Sequence, residues 1–295
     1  MESIQKKKNI MLVPVDFSEI SLNALNHAVQ LAKHFDNDLV LLNILEDDFL
    51  SSVFSFSKNE VKDELAKEAL LHKLNEKAIE IKEKYGVNCK TSAKIGKIYK
   101  TIIETASEYG CDCIIMGTHG ASGVERIIGS NASRVISYST IPVIVVKTDK
   151  NPNAYKNIVF PLDLTSESKQ KVKWAIHLAK SYHSTIHILT YSMSDEFLNN
   201  KMMANLNQIK SLLTESGVAY DEKMMENNDD FASITLNYAE AIGADLIMIM
   251  TQSEDKTIRE YIIETYAQQI VNDAGNVPVF CVNPNHDIFK SEFII

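Results

Sequence analysis

Cysteine is sparse in this sequence, with four in 295 residues, and this argues against a disulfide-stabilised fold and against a cysteine-based zinc site. Four cysteines are too few for a disulfide scaffold, and their spacing lacks the C-x-x-C pairs typical of zinc sites. Cys111 and Cys113 flank Asp112 at the start of an apolar run, so we expect both thiols to be buried in a strand. We predict no metal site.

Long apolar runs and an excess of basic charge are also missing. No stretch approaches the ~20 apolar residues of a membrane-spanning helix, and the first residues lack a signal-peptide cleavage pattern. Lys and Arg number 30 against 39 Asp and Glu, a net charge of −9. This charge disfavours binding to nucleic acid or to an anionic membrane surface, because both need a basic protein surface. We therefore expect a cytoplasmic protein with no nucleic-acid partner and no membrane partner.

The chain contains one internal duplication. Asp16 aligns with Asp163, and Leu31-Ala32-Lys33 aligns with Leu178-Ala179-Lys180, at one constant offset. The length suits two domains, and the polar segment from Thr148 to Tyr155 is typical of a linker. We predict two tandem domains, residues 1–150 and residues 151–295.

Each half alternates short apolar runs with amphipathic helical patterns. The run "IMLVPV" is typical of a strand covered on both faces, and "SLNALNHAVQLAK" is typical of a helix, with Ser18 as its expected N-cap. Five strands and four crossovers per half predict a doubly wound α/β domain, in which an open, mostly parallel sheet of order 3-2-1-4-5 has helices on both faces. Such sheets bind ligands at the carboxyl ends of strands one and four, here near Asp16 and Gly117.

Glycine is scarce and unevenly placed. Four of the ten glycines fall in "GTHGASGVERIIGS", from Gly117 to Ser130. Glycine allows close approach of the backbone to a ligand, and free amides at a helix N-terminus bind anions. Ser130 could add a hydroxyl donor or cap the helix, and Asn131 could do either. An isolated glycine pair would favour a plain surface loop, but four glycines opposite Asp16 favour a phosphate site.

These motifs resemble those of the universal stress protein family. The segments "PVDFS" (14–18), "MGTHG" (116–120) and "GSNASRV" (129–135) match the pattern of its nucleotide-binding members. In that pattern a G-x-x-G motif precedes a Gly-Ser or Gly-Thr pair by nine residues. Eight residues separate Gly120 from Gly129 here, one fewer than in the family.

The resemblance implies that the first domain binds ATP, with or without Mg²⁺. Asp16 would accept hydrogen bonds from ribose or adenine, Ile44 would contact adenine, and the segment from Gly129 would hold phosphates. The two domains would pair as an internal pseudo-dimer through their last strands, a further homodimer is left open, and the protein partner is unknown. The implied nucleotide-binding residues are Pro14, Val15, Asp16, Ile44, Met116, Gly117, His119, Gly120, Gly129, Ser130 and Asn131.

The second half lacks the glycine loop. Met250 and Ser253 stand where the first half has Gly117 and Gly120, and residues 251–271 contain no glycine. We therefore expect a degenerate repeat and one ATP per chain, in a binding module of the general stress response with no catalytic residues. A slow ATPase, autophosphorylation at Ser130 and a nucleotide-free interaction scaffold remain open alternatives, although the sequence has no G-x-x-x-x-G-K-[ST] loop for fast hydrolysis.

Overall fold

The computed structural model describes residues 8–46, 60–118, 129–148, 155–164, 170–226, 230–251 and 258–284. The chain forms two compact units, Met1–Asn151 and Pro152–Ile295. His119 and Gly120 lie outside the described residues. None of the described helices is both long and apolar enough to cross a membrane.

The first unit has a parallel sheet in the order β3-β2-β1-β4-β5. This order confirms the predicted doubly wound α/β fold. Its strands are β1 (Ile10–Pro14), β2 (Asp38–Leu45), β3 (Cys89–Ile95), β4 (Cys113–Gly117) and β5 (Val143–Val146). Its described helices are α1 (Glu19–Phe35), α2 (Glu60–Tyr85), α3 (Ile98–Glu108) and α4 (Ser130–Tyr138).

The second unit repeats this arrangement in the order β8-β7-β6-β9-β10, again with parallel neighbours. Its strands are β6 (Asn157–Pro161), β7 (Thr185–Tyr191), β8 (Ala219–Met225), β9 (Leu246–Met250) and β10 (Val279–Val282). Its described helices are α5 (Lys171–Tyr182), α6 (Glu196–Glu215), α7 (Phe231–Ala241) and α8 (Ile258–Asp273).

The central strands are buried because they are apolar and lie in parallel sheets covered by helices. β4, β5, β9 and β10 are buried along their whole length. Cys111 and Cys113 are both buried, as expected, but only Cys113 belongs to a strand, because β4 begins there. Burial raises the pKa of the Cys111 thiol to about 12, so this thiol stays protonated and unreactive near neutral pH.

The start of α1 shows why the first helix begins where it does. The Ser18 hydroxyl accepts the backbone N–H of Ser21 at 3.3 Å, which confirms Ser18 as the N-cap. The helix then buries one face, including Ala24, Leu25 and Ala28, against the sheet. Capping and this apolar face together place the first turn of α1 beside the carboxyl ends of the strands.

The duplication is also visible in the hydrogen bonds at the amino ends of β1 and β6. The Asp112 Oδ2 accepts the Ile10 N–H at 2.9 Å, and the Asp245 Oδ2 accepts the Asn157 N–H at 3.0 Å. Each aspartate directly precedes the fourth strand of its unit and accepts a hydrogen bond from the first residue of the neighbouring first strand. The two units keep the same alignment between the first and fourth strands.

Candidate functional site

Asp16 follows β1 at the carboxyl edge of the first sheet, and its side chain is exposed. Its Oδ1 accepts hydrogen bonds from the Ser18 N–H at 2.9 Å and from the Ser18 hydroxyl at 2.5 Å. Since the same hydroxyl caps α1, the orientation of the carboxylate is tied to the start of the helix. Asp16 is therefore both oriented and accessible to a ligand.

A buried amide holds the turn that carries Asp16. Asn43 is 6% exposed, and its Nδ2 donates to the Val15 carbonyl at 2.6 Å. The Val15 N–H donates to the Leu42 carbonyl at 2.7 Å. Phe17 then takes a left-handed φ of 65°, which costs a non-glycine residue free energy and is common at functional sites. The end of β1 is thus held by two hydrogen bonds to β2 before the chain turns sharply into α1.

Gly117 ends β4 directly beside the first turn of α1. A Cβ at this position would lie 2.5 Å from Ile20 Cγ2 and 3.2 Å from the Ile20 carbonyl oxygen. The first separation is shorter than real Cβ contacts and the second is tighter than most, so the close packing against α1 calls for glycine here. This requirement comes from the protein itself and is separate from the close approach to phosphate that the sequence suggested.

The segment from Gly129 to Asn131 forms the N-terminus of α4. The Gly129 N–H donates to the Thr118 carbonyl at 2.8 Å, which joins the start of this helix to the end of β4. Gly129 is the N-cap, so the interpretation of Ser130 or Asn131 as the cap is wrong; Ser130 is the first helical residue. Among the described residues no side chain caps this helix, and its first turn has no acidic residue. Its first amides are therefore suited to an anion.

The remaining predicted residues lie around the same edge. Pro14 and Ile44 are half-buried near the ends of β1 and β2, while Val15 and Met116 are buried. β1 lies between β2 and β4, so the carboxyl ends of these three strands are neighbours. The structure thus brings together a carboxylate, an aliphatic side chain and a helix N-terminus, the last being joined to β4 through Thr118.

The same turn occurs in the second unit, with different side chains. The Leu162 N–H donates to the Leu189 carbonyl at 2.8 Å, which matches the contact between Val15 and Leu42. Asp163 follows and is half-buried. The conserved turn therefore presents a carboxylate at the edge of both sheets.

Lys171 is the clearest departure of the second unit from the first. It aligns with the buried Ala24 of α1 and, although it carries an amine, it is only 2% exposed. Its Nζ donates to the Pro161 carbonyl and lies 4.4 Å from the centroid of the Phe160 ring. Burial lowers the pKa of Lys171 to about 8, although the negative charge of Asp163 opposes this shift. Sequence reasoning missed this residue; the signal was its alignment with a buried alanine.

Three aromatic rings gather near the carboxyl edge of the second sheet. Tyr191 ends β7, and its ring centroid lies 4.8 Å from that of Phe231 at the start of α7. Phe231 in turn stacks on Tyr266 of α8, with centroids 5.8 Å apart. Burial raises the pKa of both tyrosines, and the charge of Asp163 adds to the effect. Tyr191 aligns with Ile44, so aromatic rings replace an aliphatic side chain at this edge.

Metal binding finds no support in the described parts of either unit. No group of three or more His, Cys, Asp or Glu side chains there is placed to hold an ion.

The model of the universal stress protein family matches residues 8–147 and again residues 154–283. The chain belongs to this family. The two matches confirm the resemblance that its motifs suggested and show two family domains in tandem. As a universal stress protein, the chain owes its duplicated α/β fold to a repeated family domain.

Relatives of this universal stress protein match one domain at a time. Universal stress protein MJ0531 of Methanocaldococcus jannaschii is 35% identical over 150 residues, covering 50% of this chain and 86% of the relative. Universal stress protein YxiE of Bacillus subtilis is 32% identical over 148 residues, covering 47% of this chain and 99% of the relative.

A solved structure resembles the whole chain. The crystal structure of a universal stress protein from Archaeoglobus fulgidus covers 95% of this chain and 97% of its own length, with a TM-score of 0.75. Its sequence identity is 21%, so this likeness supports the tandem fold and carries no information on ligands.

Proposed function

We propose that the first unit binds ATP at its carboxyl edge and that the protein is a nucleotide-binding module of the general stress response, acting in the cytoplasm. One observation carries the proposal. The oriented carboxylate of Asp16 and the open N-terminus of α4 belong to the ends of neighbouring strands. A nucleotide has hydrogen-bond donors on its nucleoside part and negative charge on its phosphates, which fits this pair of groups.

The nucleoside part would lie on the side of β1 and β2. There the Asp16 carboxylate would accept hydrogen bonds from ribose or adenine, since an ionised carboxylate is an acceptor only. The half-buried Ile44 would contact the face of the base. Pro14 and the buried Val15 and Met116 would shape this edge.

The phosphates would lie on the side of β4 and α4. The amides of Ser130 and Asn131 would donate to phosphate oxygens, and the helix dipole would favour the negative charge. Gly117 would allow close approach at the end of β4, and we propose that His119 and Gly120 add to this side. The bound species would be ATP, with or without Mg²⁺.

We propose one ATP per chain, because the sequence of the second unit has no glycine from Thr251 to Val271 to take the place of the phosphate loop. Met250, at the place of Gly117, is a buried side chain at the end of β9. The aromatic rings of Tyr191, Phe231 and Tyr266 occupy the region that corresponds to Ile44 and its surroundings. The second unit would then serve as the internal partner domain, and an unidentified protein would read the nucleotide state of the first.

A charge placed at the start of α4 separates phosphate binding from folding. In Ser130→Glu a carboxylate at the helix N-terminus should stabilise the helix slightly while repelling phosphate. We expect calorimetry to show a loss of ATP affinity of at least about tenfold, or ~1.4 kcal/mol, with adenosine affinity unchanged. Unchanged ATP affinity in this variant would place the phosphates elsewhere.

Matched aspartate variants identify the unit that binds. Asp16→Asn should weaken both ATP and adenosine, whereas Asp163→Asn should leave the ATP affinity as in the wild type. Two ATP molecules per chain would contradict the proposal that the second unit does not bind ATP. No binding at millimolar ATP would support the nucleotide-free scaffold.

A further inference from the structure

The ATP site proposed for the first unit makes no use of Lys171, a charged side chain buried in the second unit. An ammonium group has three N–H donors, and among the described residues the hydrogen-bond acceptor that its Nζ meets is the Pro161 carbonyl. The other contact is the face of the Phe160 ring. A buried charge with so few partners is costly. The surroundings therefore suit the neutral amine better than the ammonium ion.

The amine lies close to the carboxyl edge of the second sheet. Pro161, which holds the Nζ, is the last residue of β6, and the half-buried Asp163 follows two residues later. Asp163 is near enough to act electrostatically on Lys171, Tyr191 and Tyr266. Lys171 is thus near a half-buried carboxylate, at the edge where sheets of this fold bind ligands.

Enzymes that form imines with carbonyl compounds use lysines whose amine is made neutral by desolvation. We propose that Lys171 Nζ is a covalent ligand site of the second unit that forms an imine with a small, uncharged aldehyde. The aldehyde must be small because the side chain is buried. It must be uncharged because an ion would lose its hydration on reaching a side chain that is only 2% exposed.

The chemistry balances without an oxidant or a reductant. The ammonium group first gives one proton to water, and the neutral amine then adds to the carbonyl carbon. The new N–C bond and the proton transferred from nitrogen to oxygen give a carbinolamine. Loss of its hydroxyl group together with the remaining N–H proton releases one water and leaves the C=N double bond. A site that excludes water favours this loss of water.

A purely structural lysine would behave in the opposite way. Burial alone slows every reaction of an amine, because the reagent cannot reach it. Lys173 and Lys180 lie on the same helix, α5, and are exposed. They are internal references for the reactivity of an ordinary surface lysine in the same molecule.

The test treats the intact chain at pH 7 with acetaldehyde and sodium cyanoborohydride for short times. The reductant converts each imine into a stable ethylamine, and peptide mass spectrometry gives the rate at each lysine. We expect Lys171 to be modified at least about tenfold faster than Lys173 or Lys180. The α-amino group, with an ordinary pKa of about 8, shows that the reagents are active.

The same reaction in concentrated urea is the control. There the three lysines of the unfolded chain should react at equal rates, which would tie the selectivity to the fold. A rate at Lys171 equal to or below that of Lys173 and Lys180 in the folded chain would overturn the proposal. Because no variant is needed, a failure to fold cannot obscure the result, and the outcome does not depend on ATP binding.

Discussion

The ends of β1 and β6 form the same turn, but they are held by different donors. In the first unit the neutral amide of Asn43 donates to the Val15 carbonyl. In the second unit the ammonium group of Lys171 donates to the Pro161 carbonyl, and Thr190 replaces Asn43. A neutral amide can be buried at small cost once it is hydrogen-bonded, whereas a buried ammonium group is costly. The duplicated fold thus tolerates different donors beneath the carboxyl edge of its sheet, although they differ in energetic cost.

The side chains at the carboxyl edges of the two sheets also differ. The first presents Asp16 with the aliphatic Ile44, and the second presents Asp163 with the ring of Tyr191. Most of the net charge of −9 also arises after residue 151, which disfavours a polyphosphate there. The two units therefore differ in side chains at the carboxyl edge and in net charge.

Removing the buried charge should have the largest effect on stability. We expect Lys171→Met to raise the free energy of unfolding at pH 7 by as much as about 3 kcal/mol, because the variant no longer buries an ammonium group. The folded pKa of about 8 lies below the ordinary value of 10.5. Between these values the unfolded chain binds more protons at Lys171, so the stability of the wild type rises with pH relative to the variant.

Chemical denaturation at pH 7, 9 and 10.5 checks this sign. The stability difference between Lys171→Met and the wild type should be largest at pH 7 and should shrink toward pH 10.5. Taking the difference removes the titration of other groups, which both chains share. A difference that grows with pH would show that Lys171 stabilises the fold as a cation.

Adding one methyl group at Gly117 should have the next largest effect, in the first unit. Gly117→Ala should cost about 2 kcal/mol, because the new Cβ meets Ile20 and overpacking is destabilising. Ile20→Ala removes the Cγ2 atom that lies nearest. In a double-mutant cycle by denaturation, Gly117→Ala should therefore cost less in the Ile20→Ala background. Equal costs in the two backgrounds would mean that the glycine is required for another reason.

Replacing one buried polar residue in β2 or in β7 should have the smallest effects on stability. Asn43→Thr introduces the residue of the second unit, shortens the side chain and leaves the Val15 carbonyl without its donor, so it should cost about 1 kcal/mol. The Thr190 hydroxyl is buried without a hydrogen-bond partner among the described residues. Thr190→Val should accordingly change stability by less than about 0.5 kcal/mol or increase it. A large loss from Thr190→Val would reveal a partner for this hydroxyl.

Much of the fold was predictable because it depends on patterns that extend over many residues. Continuous apolar runs mark strands buried on both faces, and they indicated the order of the first sheet and of its repeat. The cap at Ser18 was predictable because its signal is local.

The parts of the candidate site that depend on contacts distant in sequence were not predictable. The cluster of glycines suggested phosphate binding, but the need for glycine at 117 also comes from Ile20, almost a hundred residues earlier. Lys171 is one of three lysines in "KQKVKWA", so its local pattern suggests an exposed side chain. Ser130 and Gly129 are adjacent, and local sequence could not decide which one caps α4.

The hydrogen bond between Gly129 and Thr118 bears on the spacing that sets this chain apart from its family pattern. It joins the residues on either side of the intervening segment, so the entropy cost of bringing these two residues together depends on the number of residues between them. The entropy of loop closure varies only with the logarithm of loop length, and one residue more or less changes it by about 0.1 kcal/mol. The shorter spacing is therefore nearly neutral for chain entropy, and the closing hydrogen bond does not by itself set the length of this segment.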